Sequence, residues 1–235
     1  MEPISVIMMV HNEAETIGPV VREYHDKILS RLPGSEFIIA EDGSNDGTKE
    51  ILKALAREIP LRLEMGEERR GYANAFRRAL GLPRNEIIFL SDSGGKHDPE
   101  DFWKLYGRIG GADLVIGVKT DRRDSAFRKL MTWGYNRAVN LYFGSRFRDI
   151  DSGFRLIRKS ALRKALSVPW IFPELISSEV SLRLFASGAR IEQVPVSYRQ
   201  RIGPSRGLPL KKIPKAIWQV LRLFPALKKE ISAKQ

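Results

Sequence analysis

Two stretches of sequence decide the fold: ISVIMMV at residues 4–10, which runs into HNEAE at 11–15, and EFIIA at 36–40, which runs into EDGSNDGT at 41–48. Each stretch begins as a short apolar run and ends in polar residues. A helical pattern from residue 15 to residue 32 separates them. Because this succession is typical of a β-α-β unit, the two runs are predicted to be parallel strands.

The alternation of strand and helix patterns continues along the chain. Further strands are expected at residues 61–65, 86–90, 113–117, 154–157 and 191–198, and helices at 49–58, 71–80, 99–108, 126–143 and 179–186. This pattern predicts an α/β fold with a mostly parallel sheet flanked by helices. Such sheets bind ligands at the carboxyl ends of their strands, where Glu13, Asp42 and Asp92 fall. With no low-complexity linker, we assign residues 1–207 to one domain and 208–235 to a basic C-terminal helix.

The chain is strongly basic. Its 40 Lys and Arg against 28 Asp and Glu give a formal net charge of +12, which predicts a phosphorylated substrate, a nucleic acid or an acidic lipid surface as partner. The acid-rich first 120 residues would repel a polynucleotide, and the basic-aromatic interleaving that stacks bases is missing. We therefore expect no nucleic-acid partner.

Composition also bears on the compartment. The 43% hydrophobic content suffices for a core, and the lack of cysteine excludes a disulfide framework or a Cys-ligated metal. No basic segment precedes the first apolar run, and no apolar run reaches the roughly 18 residues of a membrane-spanning helix. The sequence predicts a cytoplasmic protein.

Residue chemistry allows two interpretations of the acidic loops. Carboxylates at strand ends suit a sugar nucleotide, because ribose and base present donors and a metal on a diphosphate takes oxygen ligands. Asp-Gly and Ser-Asn-Asp-Gly are also turn formers, so Ser44 or Asp46 could simply cap the next helix. The recurrence of acidic residues after the first, second and fourth strands favours a binding site.

Motifs in a particular order resemble those of family 2 glycosyltransferases with the GT-A fold, and within that family the polyprenyl-phosphate (dolichyl-phosphate) hexose synthases. The motifs are VHNE at 10–13, EDGSNDGT at 41–48, GYANA at 71–75, DSGGKHDPE at 92–100, DSGFR at 151–155 and RIGPSR at 201–206. The resemblance implies a Rossmann-like sheet and an inverting transfer. It also implies a nucleotide-diphosphate sugar of the GDP-mannose or UDP-glucose type as donor, and a polyprenyl or dolichyl phosphate as acceptor.

The resemblance further implies roles for individual residues. Those expected at the nucleotide are His11, Glu13, Glu41, Asp42 and Ser93. The expected catalytic residues are Asp92 and Arg201, to which Lys96 is added as a point charge able to sit on phosphate. Contacts with the acceptor phosphate or the closing diphosphate loop are expected from Lys119, Arg128, Ser205 and Arg206.

The metal motif departs from the family pattern. The family has Asp-x-Asp, whereas here Gly94 follows Asp92 and Ser93. We expect Mg²⁺ or Mn²⁺ to be bound mainly by Asp92 and the diphosphate, and a metal-independent site in which Lys96 holds phosphate stays open. His97 is either a further ligand or part of a helix start.

The class of acceptor is indicated by the absence of an acidic residue that could act as general base. Family members that act on hydroxyls commonly carry a Glu-Asp pair just before the helix that contains Glu179, and here Ile176 and Ser177 stand there. A hydroxyl acceptor needs a general base, whereas a phosphate is already anionic. We therefore expect a phosphate acceptor, with a glycan or lipid hydroxyl, or non-catalytic nucleotide-sugar binding, as alternatives. Asp151 and Arg155 are expected to form a buried ion pair or to contact substrate.

Two helical patterns combine apolar and basic residues, at 126–143 and 211–229. Such helices can lie among the headgroups of an anionic membrane, and core packing is the alternative for each. We expect peripheral attachment at the cytoplasmic face of a membrane, directly or through a separate membrane protein.

Overall fold

A seven-stranded sheet with helices on both faces forms the body of the protein. The computed structural model describes residues 1–120, 125–165, 170–172, 175–200 and 213–232. The strands are β1 (Ile4–Val10), β2 (Glu36–Glu41), β3 (Leu61–Met65), β4 (Ile87–Asp92), β5 (Leu114–Lys119), β6 (Arg155–Arg158) and β7 (Ile191–Val196). The helices are α1 (Ile17–Lys27), α2 (Thr48–Leu55), α3 (Tyr72–Leu80), α4 (Phe102–Tyr106), α5 (Ala126–Phe143), α6 (Lys159–Ala165), α7 (Ile176–Ala186) and α8 (Ile213–Ser232).

The predicted mostly parallel sheet is confirmed. Its strand order is β3-β2-β1-β4-β6-β5-β7, and only β6 runs antiparallel to its neighbours β4 and β5. Val10 pairs with Glu41, and Met9 pairs with Asp92. The loops that follow β1, β2 and β4 therefore lie side by side at one edge of the sheet.

The core has one layer on each face of the sheet, because successive strand residues point to opposite sides. Ile7, Ile38 and Ile88 face the layer that α3 and α7 cover, whereas Val6 and Phe89 face the layer of α1, α2 and α4. All of β1 is buried, as expected for a strand covered on both faces.

Element ends differ from the prediction where short turns replace helix. The helix expected at 15–32 ends at Lys27 and is followed by a 3₁₀ turn at Leu29–Arg31. The helix expected at 99–108 begins as a 3₁₀ turn in which Asp98 accepts the N–H of Glu100 at 3.0 Å. Helix α6 was not predicted, because seven residues are too few to show a helical period.

Helix α8 packs on the body. Phe224 and Leu227 are buried in the same core layer as Ile7, and Arg183 of α7 pairs with Glu230 at 2.6 Å. The burial of Phe224 favours core packing at this position, which was the alternative to a membrane-facing helix at 211–229. The predicted boundary at residue 207 lies outside the described residues. Within the described ranges, no helix is both long and apolar enough to cross a bilayer.

Candidate active site

The first two acidic loops are joined into one unit by hydrogen bonds. The N–H of Asn12 donates to Ser44 Oγ at 2.8 Å, and the N–H of Asn45 donates to Asn12 Oδ1 at 2.9 Å. The N–H of Glu13 donates to Thr48 Oγ1 at 2.8 Å. Asn12 has a φ of 53°, a left-handed conformation that asparagine tolerates better than most residues. Ser44 therefore joins the two loops and does not cap the next helix, whereas Asp46 accepts the N–H of Thr48, the first residue of α2, at 3.1 Å.

Asp42 ties this unit to the start of α3. Its carboxylate accepts the N–H of Arg70 at 3.0 Å and the N–H of Gly71 at 2.7 Å. Its carbonyl oxygen lies 2.8 Å from Nδ1 of His11, which must be the donor because a carbonyl only accepts. His11 and Asp42 thus lie next to each other and beside the loop that precedes α3, and their contact with a nucleotide stays a prediction.

Glu13 and Glu41 are buried and support the loops. The carboxylate of Glu13 accepts the hydroxyl of Thr16 at 2.8 Å. Glu41 has no exposed surface, its Oε1 accepts the N–H of Ser44, and its Oε2 lies 3.9 Å from the ammonium of Lys49. Any effect of Glu41 on a nucleotide therefore acts through the loop that it holds and not by direct contact.

Asp92 lies beside the DSGFR segment. Its side chain is 38% exposed at the end of β4. A Cβ atom on Gly153 would lie 2.6 Å from Cγ and 2.8 Å from Oδ2 of Asp92, and closer still to Oδ1. The carboxylate therefore rests directly on the Gly153 backbone, a contact that explains the glycine and that the motif order did not reveal.

His97 is the other neighbour of this carboxylate. Its Nε2 lies 3.9 Å from Oδ2 of Asp92, and its side chain is only 1% exposed. The ring stacks on Phe154 with centroids 4.7 Å apart, and neither ring nitrogen has a hydrogen-bond partner in the described part of the chain. Burial lowers the pKa of His97 to about 4, so the ring is neutral at pH 7. Asp98, and not His97, caps the turn that follows.

The Asp92 loop is held against α1 by ion pairs. The carbonyl of Lys96 accepts the N–H of Arg199 at 2.7 Å. The Arg199 guanidinium pairs with Glu23 of α1 at 2.9 Å and with Asp98 at 2.7 Å. Ser93 is buried and Lys96 half-buried on this loop. The predicted residues Arg201, Ser205 and Arg206 follow Arg199 but lie outside the described residues.

Arg155 serves the structure. Its fully buried guanidinium donates to the carbonyl oxygens of Ile150, Ser152 and Ser177 and to the Ser181 hydroxyl. None of these hydrogen bonds goes to Asp151, so the expected ion pair is not the contact that holds Arg155.

Asp151 makes no hydrogen bond to Arg155, and the residue is exposed to solvent. Its Oδ1 accepts the Ser178 hydroxyl at 3.2 Å. Although solvent reaches the residue, the surrounding protein desolvates the carboxyl and raises its pKa to about 6. Desolvation by the surrounding protein, followed by the charges of Asp92 and Asp151, raises the pKa of Tyr72, although the residue is 43% exposed.

The two positions at which family members that act on hydroxyls carry an acidic pair hold no acidic side chain in this protein. Ile176 and Ser177 are buried at the start of α7. Glu179, the nearest carboxylate along the helix, is fully buried and accepts the N–H groups of Ile171 and Phe172 at 2.9 and 2.6 Å. A general base at this place is therefore excluded by the residues present.

The two described acceptor-side cations occupy different environments. Lys119 at the end of β5 pairs with Asp149 at 3.3 Å, and both side chains are mostly buried. Arg128 is half-buried in the first turn of α5, where Ser125 caps the helix through the Arg128 N–H. A phosphate at Lys119 would have to share that ammonium with Asp149, which the sequence did not show.

The residues near Asp92 fit a sparse cation site. Within the described ranges, no three Asp, Glu or His side chains are placed to share a metal ion. Asp92 offers a partly exposed carboxylate, and His97 offers buried nitrogens without partners. These two side chains would hold a cation whose remaining ligands come from a diphosphate and water.

A mostly parallel sheet with carboxylates at the ends of adjacent strands is the arrangement of the GT-A fold. The chain belongs to glycosyl transferase family 2, whose family model matches residues 5–166. It is therefore a glycosyltransferase, as predicted.

Relatives agree with this assignment. The chain is 25% identical over 209 residues to a dolichyl-phosphate hexose transferase of Haloferax volcanii, covering 87% of this chain and 86% of the relative. It is 26% identical over 215 residues to an undecaprenyl-phosphate mannosyltransferase of Micrococcus luteus, covering 86% of each.

The fold resembles that of glucosyl-3-phosphoglycerate synthase from Mycobacterium tuberculosis. The complex with phosphoglyceric acid has a TM-score of 0.71 and 20% identity, over 96% of this chain and 80% of that one. The complex with Mn²⁺, UDP and glucosyl-3-phosphoglycerate has a TM-score of 0.68 and 22% identity, over the same shares of the two chains. At these identities the likeness shows the fold.

Proposed function

We propose that this glycosyltransferase moves a hexose from a nucleotide-diphosphate sugar to a polyprenyl or dolichyl phosphate, with inversion. The main support for this proposal is that Ile176 and Ser177 occupy the positions where a general base would stand. Glu179 is buried, and its carboxylate accepts backbone N–H groups. An acceptor that is already anionic needs no proton removed. The names of the Haloferax and Micrococcus relatives support the same acceptor class.

The bond changes of this reaction are simple. A phosphate oxygen of the lipid attacks the anomeric carbon, and the bond from that carbon to the diphosphate breaks. The nucleoside diphosphate leaves with the electron pair, so positive charge near its phosphates stabilises the transition state. A divalent cation held by Asp92 supplies such charge when bound, as does Lys96 on the same loop. Mn²⁺ with UDP in the mycobacterial synthase supports this cofactor class.

We propose that the donor spans the space between the loops that follow β1 and β2 and the start of α3. His11 and Asp42 border the nucleoside end, where Asp42 also fixes Arg70 and Gly71. Asp92 borders the diphosphate. The hexose would then lie towards Tyr72 and Asp151, and the donor is of the GDP-mannose or UDP-glucose type.

A hydroxyl acceptor is the second candidate, and Asp151 favours it. A solvent-accessible carboxyl with a pKa of about 6 suits a general base at neutral pH. In this alternative the acceptor would be a glycan or lipid hydroxyl near Ser178.

The two candidates separate in one assay. Protein is incubated with labelled GDP- or UDP-hexoses, Mn²⁺ or Mg²⁺, and vesicles that carry either polyprenyl phosphate or the corresponding polyprenol. We expect an acid-labile glycolipid from the phosphate only, and Asp92→Asn should lower its rate at least about 100-fold. Asp26→Asn, an exposed aspartate of α1, is the matched control and should leave the rate unchanged. Transfer to polyprenol would establish the second candidate instead.

We also infer peripheral contact with an anionic membrane at its cytoplasmic face. Helix α5 exposes large apolar residues, of which Trp133 and Leu141 are 64% and 70% exposed, and α8 exposes Trp218 and Leu221. The two helices touch where Tyr142 packs on Phe224, with centroids 5.5 Å apart. Exposed basic residues flank the apolar ones: Lys129, Arg137, Arg222 and Lys229. Apolar residues beside cations are typical of helices that lie among anionic headgroups.

Trp133→Ser is expected to weaken binding to phosphatidylglycerol vesicles at least about tenfold, since burying a large apolar side chain contributes about 2 kcal/mol. Sedimentation with the vesicles measures this. Phe185→Ser, an exposed aromatic on α7, is the control and should bind as the wild type does. Equal binding of the Trp133 variant contradicts the inference, and attachment through a separate membrane protein then becomes the better explanation.

A further inference from the structure

We propose that His97 is a second ligand of the divalent cation held by Asp92, in place of the carboxylate that Gly94 lacks. The inference rests on the proposed function only in that the cation also binds the donor diphosphate. It concerns which side chains of this chain hold the ion and which ion they prefer.

The distance between the two groups allows a shared ion. Nε2 of His97 lies 3.9 Å from Oδ2 of Asp92. Metal bonds to nitrogen and oxygen are about 2.1 Å long, so two ligands of one ion lie at most about 4.2 Å apart. The same 3.9 Å is too long for a direct hydrogen bond between the groups.

The hydrogen bonding of His97 points to a missing partner. Both ring nitrogens are buried and lack a hydrogen-bond partner among the described residues. Buried polar atoms nearly always have a partner, so an exception calls for an explanation such as an ion. An unprotonated imidazole nitrogen and a carboxylate oxygen are both electron-pair donors, and a cation between them satisfies both.

The surrounding charges are compatible with this site. The charge of Lys119 reaches His97, and the Lys119 ammonium itself pairs with Asp149 at 3.3 Å. Lys96 lies on the same loop and its charge also reaches His97. Two side-chain ligands beside these ammonium groups hold an ion weakly, so the diphosphate oxygens are needed to complete the site. Metal binding is therefore expected to depend on the nucleotide.

The ligand set also favours a particular ion. Imidazole nitrogen suits transition metals, whereas Mg²⁺ prefers an all-oxygen shell. The site is therefore expected to prefer Mn²⁺ over Mg²⁺ more strongly than a site with a pair of aspartates would.

The first test measures Mn²⁺ binding by the EPR signal of the free ion, with UDP or GDP present. His97→Phe is expected to weaken binding at least about tenfold. Its melting temperature without metal should be equal or higher, because the new ring keeps the stack on Phe154 and removes two unpaired nitrogens. A purely structural histidine would lose stability instead. His25→Phe, on the outer part of α1, is the matched control.

The second test restores the family pattern. Gly94 is not among the glycines with positive φ, so its φ angle does not exclude a side chain. Gly94→Asp in the His97→Phe background is expected to recover Mn²⁺ binding with a smaller preference for Mn²⁺ over Mg²⁺ than the unaltered protein shows. Pulsed EPR of Mn²⁺ bound to the unaltered protein should show coupling to a ¹⁴N nucleus.

The outcomes are separate from those of the proposed function, because no acceptor lipid is present. Absence of ¹⁴N coupling, or wild-type Mn²⁺ affinity in His97→Phe, would overturn the ligand assignment. Failure of lipid glycosylation with normal Mn²⁺ binding would overturn the proposed acceptor and leave His97 as a ligand.

Discussion

Replacing Gly153 by alanine is expected to lower the rate of glycosyl transfer at least about 100-fold while the protein stays folded. The added Cβ would lie 2.6 Å from Cγ and 2.8 Å from Oδ2 of Asp92, well inside van der Waals contact. An aspartate side chain is short, so its carboxylate must move away. A shift of about 1 Å at a reacting group is enough for a loss of this size.

The backbone itself should tolerate the change. Gly153 is not among the glycines with positive φ, so alanine fits its conformation. The measurements are kcat/KM for the donor and the melting temperature. Gly110→Ala is the matched control, because a Cβ there meets nothing within 4 Å. If Gly153→Ala keeps a rate within about threefold of the wild type, Asp92 does not act from its observed position.

Arg183→Met is expected to lower the free energy of unfolding by about 3 kcal/mol or more. The Arg183 guanidinium is 6% exposed and pairs with the fully buried Glu179 at 2.6 Å and with Glu230 at 2.6 Å. Without it, Glu179 keeps the N–H groups of Ile171 and Phe172 but loses its counter-charge. An uncompensated buried carboxylate is costly.

Urea unfolding measures this effect, and two variants test its cause. Glu230→Gln should lower the free energy of unfolding much less. Glu230 is 26% exposed, so water can take the place of its carboxylate beside Arg183. Glu179→Gln combined with Arg183→Met should recover part of the loss, since it removes the stranded charge. A double variant as unstable as the sum of the single ones would show that the pair is not the source. Because α7 carries Ser177 and Ser178, the same variants also report how far α8 supports the cleft.

The sequence predicted well those features that depend on local pattern. Strand β1 and helix α5 have the predicted bounds, Ile4–Val10 and Ala126–Phe143. Hydrophobic periodicity is a property of neighbouring residues and can be read without the fold. The short helix Lys159–Ala165 gave too little periodicity to be seen.

Several site residues have roles that residue type and position in the sequence did not reveal. Glu41 and Glu13 combine an acidic side chain with burial, and they hold loops. Lys119 proved to be paired with Asp149, and Arg155 to be held by carbonyl oxygens. A charged residue type indicates that a partner exists, but the partner is chosen by packing. The nucleotide and acceptor contacts of these residues stay predictions.

The sequence by itself determined the α/β class, the order of the elements, the sheet edge where the acidic loops gather, and the family. These follow from periodicity and from the order of motifs, which are encoded locally. Only the tertiary structure decided that Gly153 supports Asp92 and that Arg183 joins α7 to Glu230. It also placed His97 beside Asp92, with ring nitrogens that have no hydrogen-bond partner in the part of the chain that is described. The antiparallel return of β6 and the packing of α8 bring these distant residues together, and no local pattern specifies such contacts.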